Sequence, residues 1–187
     1  MLSEWPKEGF DELYERMRRD FPANERPPKT ALQGQIKQGK LKALRLDADD
    51  AIGAAYALVA GKEGLLITHL AVEPALRLKG YGSLLLMDLK DAYKGQSDYL
   101  IVEVELPDGA ADEAERHLRE KRVAFYERIG FIGYENLPYS IFGVPMMVMI
   151  WPINRKPLPA ASDAKAMVKG AYRLFLPALL MGQVRFR

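Results

Sequence analysis

The residue types best suited to chemistry lie in one run, Ile67-Thr68-His69-Leu70-Ala71-Val72-Glu73-Pro74-Ala75-Leu76-Arg77-Leu78-Lys79-Gly80-Tyr81-Gly82-Ser83-Leu84-Leu85. An apolar stretch suited to a buried strand leads into a loop carrying two basic residues and two glycines, and an apolar helix follows at once. Backbone N–H groups at a helix start lack intrahelical acceptors, and the helix dipole adds partial positive charge there. Glycine lets a phosphate approach that backbone, and Arg77 and Lys79 add full charges. Those residues in that order suit the binding of a pyrophosphate.

Two nucleotide-binding patterns are disfavoured. A P-loop needs Gly-Lys-Ser/Thr at the helix start, whereas Ser83 follows Gly82 directly. A dinucleotide fingerprint places its glycines at the strand end and a third glycine further on, but Pro74 to Lys79 intervene here and position 85 is leucine. The chain has no cysteine, which removes disulfides, thiolate zinc sites and a cysteine nucleophile together. Its two histidines, His69 and His117, are too far apart in sequence to suggest a metal site, and no metal is expected.

The elements that must position the loop are legible from periodicity. Phe10, Leu13, Tyr14, Met17 and Phe21 recur at helical spacing, predicting a helix from near Pro6 to Pro22. The proline-rich run 21–28 reads as an ordered loop, and Thr30 with Gln33 predicts a capping box and a second helix to about Gln38. Strands follow at Lys42–Leu46, Ile52–Val59 and Leu65–Val72, joined by turns at Asp47-Ala48-Asp49-Asp50 and Gly61–Gly64. Gly80–Tyr93 reads as a helix with Tyr81, Leu84, Leu85 and Leu89 inward, and Asp98–Glu105 as a strand parallel to the one before the helix. Ala111–Ile129 is a charge-laced helix with Asp112→Arg116 and Glu115→Arg119 pairs, ended by Gly130. Short antiparallel strands are predicted at Phe131–Tyr134, Tyr139–Phe142 and Met146–Trp151, then a helix capped by Ser162 and stopped by Pro177.

At Arg77, Gly80 and Gly82, preceded by Val72 and Pro74, the sequence resembles the GNAT acetyltransferase superfamily, whose cofactor motif reads Q/R-x-x-G-x-G/A after a strand and a Val-x-Pro-like turn. The segment Ala124-Phe125-Tyr126-Glu127-Arg128-Ile129-Gly130-Phe131 is similar to its Y-x-x-x-G-F element, and the resemblance spans about Lys42 to Trp151. It implies an α/β fold: a mixed, largely antiparallel twisted sheet with a parallel, splayed central strand pair, flanked by helices. It also implies acetyl-CoA as cosubstrate and direct acetyl transfer to the primary amine of a small molecule or peptide. The implied cofactor-binding residues are Leu70, Ala71 and Val72 on the bulged strand and Arg77, Leu78, Lys79, Gly80, Tyr81, Gly82 and Ser83 in the loop. In that reading a strand N–H binds the thioester oxygen, holding amine and thioester together supplies much of the acceleration, and Tyr126 donates a proton to the departing thiolate. The alternative for Tyr126 is a core tyrosine beside Phe125 and Ile129.

An amine with a pKa near ~10 must lose a proton before it attacks. Alternation on Asp98–Glu105 puts Tyr99, Ile101, Glu103 and Glu105 on one face, opposite Leu100, Val102 and Val104. Glu103 and Glu105, ~7 Å apart, could serve as base or bind a cationic substrate; the other reading is a solvated strand end. Glu25, Glu73 and His69 are weaker candidates, and His117 belongs to an exposed helix face. Met146-Met147-Val148-Met149 reads as a buried strand or an adaptable pocket, and Arg116, Arg119 and Arg122 as a solvated face.

With 187 residues, 49% hydrophobic and 28% charged, the chain suits one globular domain. The expected division is a GNAT domain over 1–151 and a basic C-terminal extension over 152–187. From Pro152 on, Arg155, Lys156, Lys165, Lys169, Arg173, Arg185 and Arg187 stand against Asp163, so this tail carries +6 within a net charge of +2. Its helix either packs on the domain or seals a homodimer. The beginning shows no secretory signal and no run reaches ~20 apolar residues, so a cytoplasmic protein without membrane contact is expected. An acyl-CoA-binding module that senses without turnover is the second reading. A nucleic-acid binder is the weakest, for want of a recognised motif.

Overall fold

A computed structural model describes residues 1–48 and 51–186. Asp49, Asp50 and Arg187, which belong to the expected turn and to the basic tail, lie outside the described residues. The chain divides into two compact units, one comprising Met1–Ala60 with His69–Ala92, the other Gly61–Thr68 with Tyr93–Arg187.

The first unit holds strands β1 (Leu2–Glu4), β2 (Lys42–Ala48) and β3 (Ala51–Ala60), the second half of β4 (Gly64–Val72), and helices α1 (Phe10–Asp20), α2 (Lys29–Lys37) and α3 (Tyr81–Tyr93, up to Ala92). β1 and β3 both pair antiparallel with β2. α1 buries Phe10, Leu13 and Met17, the helical-period residues of the sequence, but it begins at Phe10, after a 3-10 turn at Lys7–Gly9. α2 starts at Lys29 with Pro28 at the N-cap, so the expected Thr30 capping box does not form: Pro28 already fixes φ at −54° and places Thr30 inside the first turn. Asp47 and Ala48 continue β2 rather than turning. In α3 the buried residues are Leu85, Leu86 and Leu89, whereas Leu84 is 46% exposed, which rotates the inward face from the one expected.

The second unit contains the first half of β4, then β5 (Tyr99–Glu105), β6 (Ile132–Gly133), β7 (Tyr139–Ile141), β8 (Val144–Pro152) and β9 (Val184–Phe186), with α4 (Glu113–Ile129) and α5 (Ala161–Phe175). Its strand order is β4-β5-β8-β7-β9, with β6 also on β8. β4 and β5 are parallel in register from Gly64↔Tyr99 to Leu66↔Ile101. The other described ladders between strands are antiparallel. This is the mixed α/β, largely antiparallel class expected, with a parallel β4–β5 pair.

α4 is fixed at both ends by local chemistry. Asp112, at the N-cap, accepts from the Glu115 N–H at 2.8 Å, and Glu115 accepts from the Ala111 N–H at 2.6 Å. Asp112 serves as this cap, and the expected partner Arg116 bonds Glu120 instead. Gly130 closes the helix at φ +118°, and a Cβ there would lie 2.9 Å from the Trp151 indole nitrogen. α5 begins without a Ser162 cap, its N-cap being Ala160. Ala164, Val168, Ala171 and Tyr172 of α5 are buried in one core with Leu66, Tyr99, Ile101, Val148, Ile150 and Val184. No described helix is long and apolar enough to cross a membrane.

Candidate functional site

In the first unit, β4 ends at Val72, and a 3-10 turn at Pro74–Leu76 carries the chain into the loop before α3. The Leu76 and Arg77 N–H groups bond back to Glu73 and Pro74 carbonyls. Among the described residues, no backbone N–H from Leu78 to Ser83 makes a well-aligned bond to a backbone carbonyl. Leu78 and Gly80 adopt φ of +63° and +88°. Left-handed residues alternating with ordinary ones turn successive N–H groups toward a common side, an arrangement that attracts anions. Leucine pays strain at such an angle, and Leu78 is fully exposed, so no core burial offsets the strain.

The loop is anchored by a charge cluster that sequence reasoning missed. The Arg77 guanidinium bonds the Val72 carbonyl at 3.2 Å and the Asp20 carboxylate at 3.1 Å. Asp20, 1% exposed at its side chain, also holds Arg19 at 3.0 Å and accepts from the Tyr56 hydroxyl at 3.2 Å. Burial and the adjacent Asp20 charge raise the Tyr56 pKa, so that phenol stays protonated. Arg77 is therefore committed to the loop's own base, while Lys79 extends from the exposed tip. Glu73 is bound to Arg19 at 2.8 Å and Arg16 at 3.5 Å. His69 meets the Glu25 carbonyl at 3.1 Å and the Phe21 ring edge-on; burial lowers its pKa and favours the neutral ring.

In the second unit, Tyr126 lies on α4, 9% exposed, with its ring against Phe125 and Phe131 at centroid distances of 5.1 and 5.3 Å. Burial pushes its pKa up to about 12, against a small opposing effect of Arg122, so the hydroxyl keeps its proton. The two carboxylates of β5 meet different fates. Glu105 is held by Arg119 at 3.1 Å and Arg122 at 3.2 Å, one guanidinium on each oxygen. Arg119 is itself buried, bonding Glu115 at 2.7 Å and the Leu106 carbonyl at 2.9 Å, which corrects the expectation of a solvated arginine face at that position. Glu103 has no ion pair among the described residues; the Tyr172 hydroxyl donates to its Oε2 at 2.6 Å. Its surroundings are apolar, and burial raises its pKa although the Tyr172 and Tyr139 hydroxyls act the other way. The structure thus separates Glu103 from Glu105 in environment, although they share a strand face. His117 is exposed, 3.9 Å from Glu120.

Sequence reasoning named neither Asp20 and Tyr56 nor Tyr139 and Tyr172 as site residues. Tyr139 and Tyr172 had a faint signal, as tyrosines beside otherwise apolar positions of a strand and a helix.

Comparison with known proteins bears on these features. Residues 43–132 match the family model of the acetyltransferase (GNAT) domain. No curated protein matches the chain. Among solved structures, a GNAT-family protein from Bacteroides thetaiotaomicron shares the fold at a TM-score of 0.72 and 22% identity, covering 93% of this chain and 95% of that one. An aminoglycoside 6'-N-acetyltransferase complexed with coenzyme A aligns at a TM-score of 0.64 and 17% identity over 84% of this chain and 99% of its own. A GNAT-like decarboxylase in complex with isobutyryl-CoA gives a TM-score of 0.64 and 15% identity over 82% of this chain and 100% of its own. At such identities the likeness is one of fold, and the family model and the fold agree: residues 43–132 match a GNAT acetyltransferase domain, and the fold is that of GNAT proteins.

Proposed function

We propose that the chain is an acetyl-CoA-dependent N-acetyltransferase acting on the primary amine of a small molecule or peptide. The observation that carries this reading is the run of N–H groups from Leu78 to Ser83 without a well-aligned backbone acceptor, in a loop curved by two left-handed residues. A pyrophosphate supplies the acceptors that such a run lacks, so the residues present fit the cosubstrate. Lys79 adds a positive charge at the tip, and Arg77 holds the loop in shape through Asp20. The backbone of Leu70, Ala71 and Val72 pairs with the cosubstrate's amides and polarises its carbonyl.

Acetyl-CoA supplies an activated acyl group on a good leaving thiol. The chain's residues manage the protons around it. Glu103 takes the proton that an ammonium must lose; its raised pKa brings it closer to the amine and eases that transfer. Glu105, bridged by Arg119 and Arg122, fixes the end of β5 against α4, which carries Tyr126. Tyr126 gives its proton to the departing sulfur as the C–N bond forms and the C–S bond breaks, and regains one from the new amide nitrogen through solvent. No covalent enzyme intermediate is needed, which suits a chain without cysteine.

Calorimetric titration with acetyl-CoA tests the reading, using the wild type beside an Arg77→Ala/Gly80→Asp double variant. Micromolar binding lost in the variant is expected, with thiol release when primary amines are added. Because the chain has no cysteine, a thiol reagent reports released CoA without protein background. No binding to the wild type at millimolar acetyl-CoA would overturn the proposal.

A further inference from the structure

We infer that Asp20 is a positioning residue for the loop before α3, and that Arg77 serves the cosubstrate by holding that loop in shape through a two-point fork which a lysine cannot replace. The inference rests on the proposed binding of acetyl-CoA and adds how the end of α1 sets the shape of that site.

The last two residues of α1 clamp both ends of the turn that follows β4, all within the first unit. Arg19 grips the near end, where its guanidinium donates to both Glu73 oxygens, at 2.8 and 3.1 Å. Asp20 grips the far end, accepting from Arg77 Nη2 at 3.1 Å. Arg19 also donates to both Asp20 oxygens, at 3.1 and 3.0 Å, which joins the two arms. The Tyr56 hydroxyl adds a further donor at 3.2 Å, and the Asp20 side chain is 1% exposed. A carboxylate so enclosed and so fully bonded has one orientation, unlike a member of an ion pair on an open surface. Arg77 completes the clamp as a fork: Nη2 meets Asp20 while Nε donates to the Val72 carbonyl at 3.2 Å. One side chain therefore ties the start of the loop to the end of β4 and to α1.

α1 itself gains nothing from this acid. Its C-terminus carries the negative end of the helix dipole, which favours Arg18 and Arg19 in the last turn and disfavours Asp20 after them. The offsetting contacts are those to Arg19, Tyr56 and Arg77, and the last of these reaches the loop. A loop already held in its curve loses less freedom when an anion binds, so the clamp acts on affinity without touching the ligand.

Arg77→Lys separates the fork from the charge, at a side chain that is half-exposed and whose replacement leaves the core intact. A lysine keeps the positive charge but cannot hold Asp20 and the Val72 carbonyl in one planar fork. By calorimetry its affinity for acetyl-CoA should fall about fivefold, the scale of one net hydrogen bond, and as far as that of Arg77→Ala. Asp20→Asn, which keeps the shape of the side chain, should cause a similar loss, and the Asp20→Asn/Arg77→Lys double variant should lose no more than either alone. Trypsin gives a readout that needs no cosubstrate. Cleavage after Arg77 and Lys79 should quicken severalfold in Asp20→Asn, while cleavage at basic residues elsewhere keeps its rate. Wild-type affinity in Arg77→Lys would show that charge alone matters and would overturn the inference. Losses that multiply in the double variant, or cleavage that rises throughout the chain, would overturn it as well. A wild type that does not bind acetyl-CoA defeats the proposed activity, whereas a wild type that binds, beside an unimpaired Arg77→Lys, defeats only the clamp.

Discussion

The loop before α3 and the Glu103 cluster treat polar groups in opposite ways. In the loop, N–H donors from Leu78 to Ser83 stand in the open at a strained, exposed turn, where water meets them whenever no ligand does. Around Glu103 the polar groups are one carboxylate and the tyrosine hydroxyls that face it, enclosed among apolar side chains that water does not freely reach. The first arrangement costs little at rest and suits a large anion that arrives and leaves as a unit. The second withdraws a carboxylate from water, which favours its protonated form although the tyrosine hydroxyls act the other way. One region supplies positive potential at a helix start, and the other holds a carboxylate without a countercharge.

The largest effect should come from breaking the loop. Gly80 sits at φ +88° with open space where a Cβ would point, so Gly80→Asp meets no clash but strains the backbone and places a negative charge among the donors proposed to hold the pyrophosphate. Acetyl-CoA affinity should fall about a hundredfold by calorimetry, the scale of two lost charge-assisted hydrogen bonds. Arg77→Ala alone should cost about tenfold or less, because that guanidinium is spent on Asp20 and the Val72 carbonyl. Equal losses would show that Arg77 leaves Asp20 to meet the phosphate.

The contrast also explains what the sequence could and could not disclose. Backbone donors at a helix start follow from local order along the chain, so Arg77, Gly80 and Gly82 were readable at once. So was Gly130, whose left-handed cap is a local requirement. The Glu103 cluster joins positions 103, 139 and 172, which meet only through strand pairing and the docking of α5. Alternation along β5 placed Glu103 and Glu105 on one face, but it carried no information about what faces each: arginines of α4 for one, tyrosines of β7 and α5 for the other. The Thr30 and Ser162 caps failed because neighbouring residues with their own dihedral preferences took the cap position. β1 and β9 were too short to show a period.

A middle-sized effect is expected at Tyr126. Its phenol, raised by burial to about 12, holds a proton throughout the neutral range and suits donation rather than acceptance. Tyr126→Phe should lower kcat roughly ten- to a hundredfold, the low end of general acid catalysis, and leave acetyl-CoA affinity within about twofold. The ring contacts with Phe125 and Phe131 do not involve the hydroxyl, so stability should hardly change. An unaltered kcat would return Tyr126 to the core as an ordinary packing residue and leave the leaving group to solvent.

The smallest effect, and the sharpest for the comparison, is on stability. Burial raises the pKa of Glu103 in the folded chain above its unfolded value of ~4.3, so folding favours the protonated acid. That contribution is complete below the unfolded pKa and is lost as pH rises through the folded pKa. Glu103→Gln keeps the shape, keeps an acceptor for Tyr172 and never ionises. Its Tm should therefore match the wild type near pH 4 and exceed it increasingly toward pH 8, where each kcal/mol reads as about 2–4 °C in a chain of this length. The same substitution should remove acetyl transfer. A change that stabilises the fold while disabling the reaction marks a group retained for chemistry. If Glu103→Gln instead lowers Tm at every pH, the short bond from Tyr172 is a structural tether between α5 and β5, and the contrast with the loop reduces to packing.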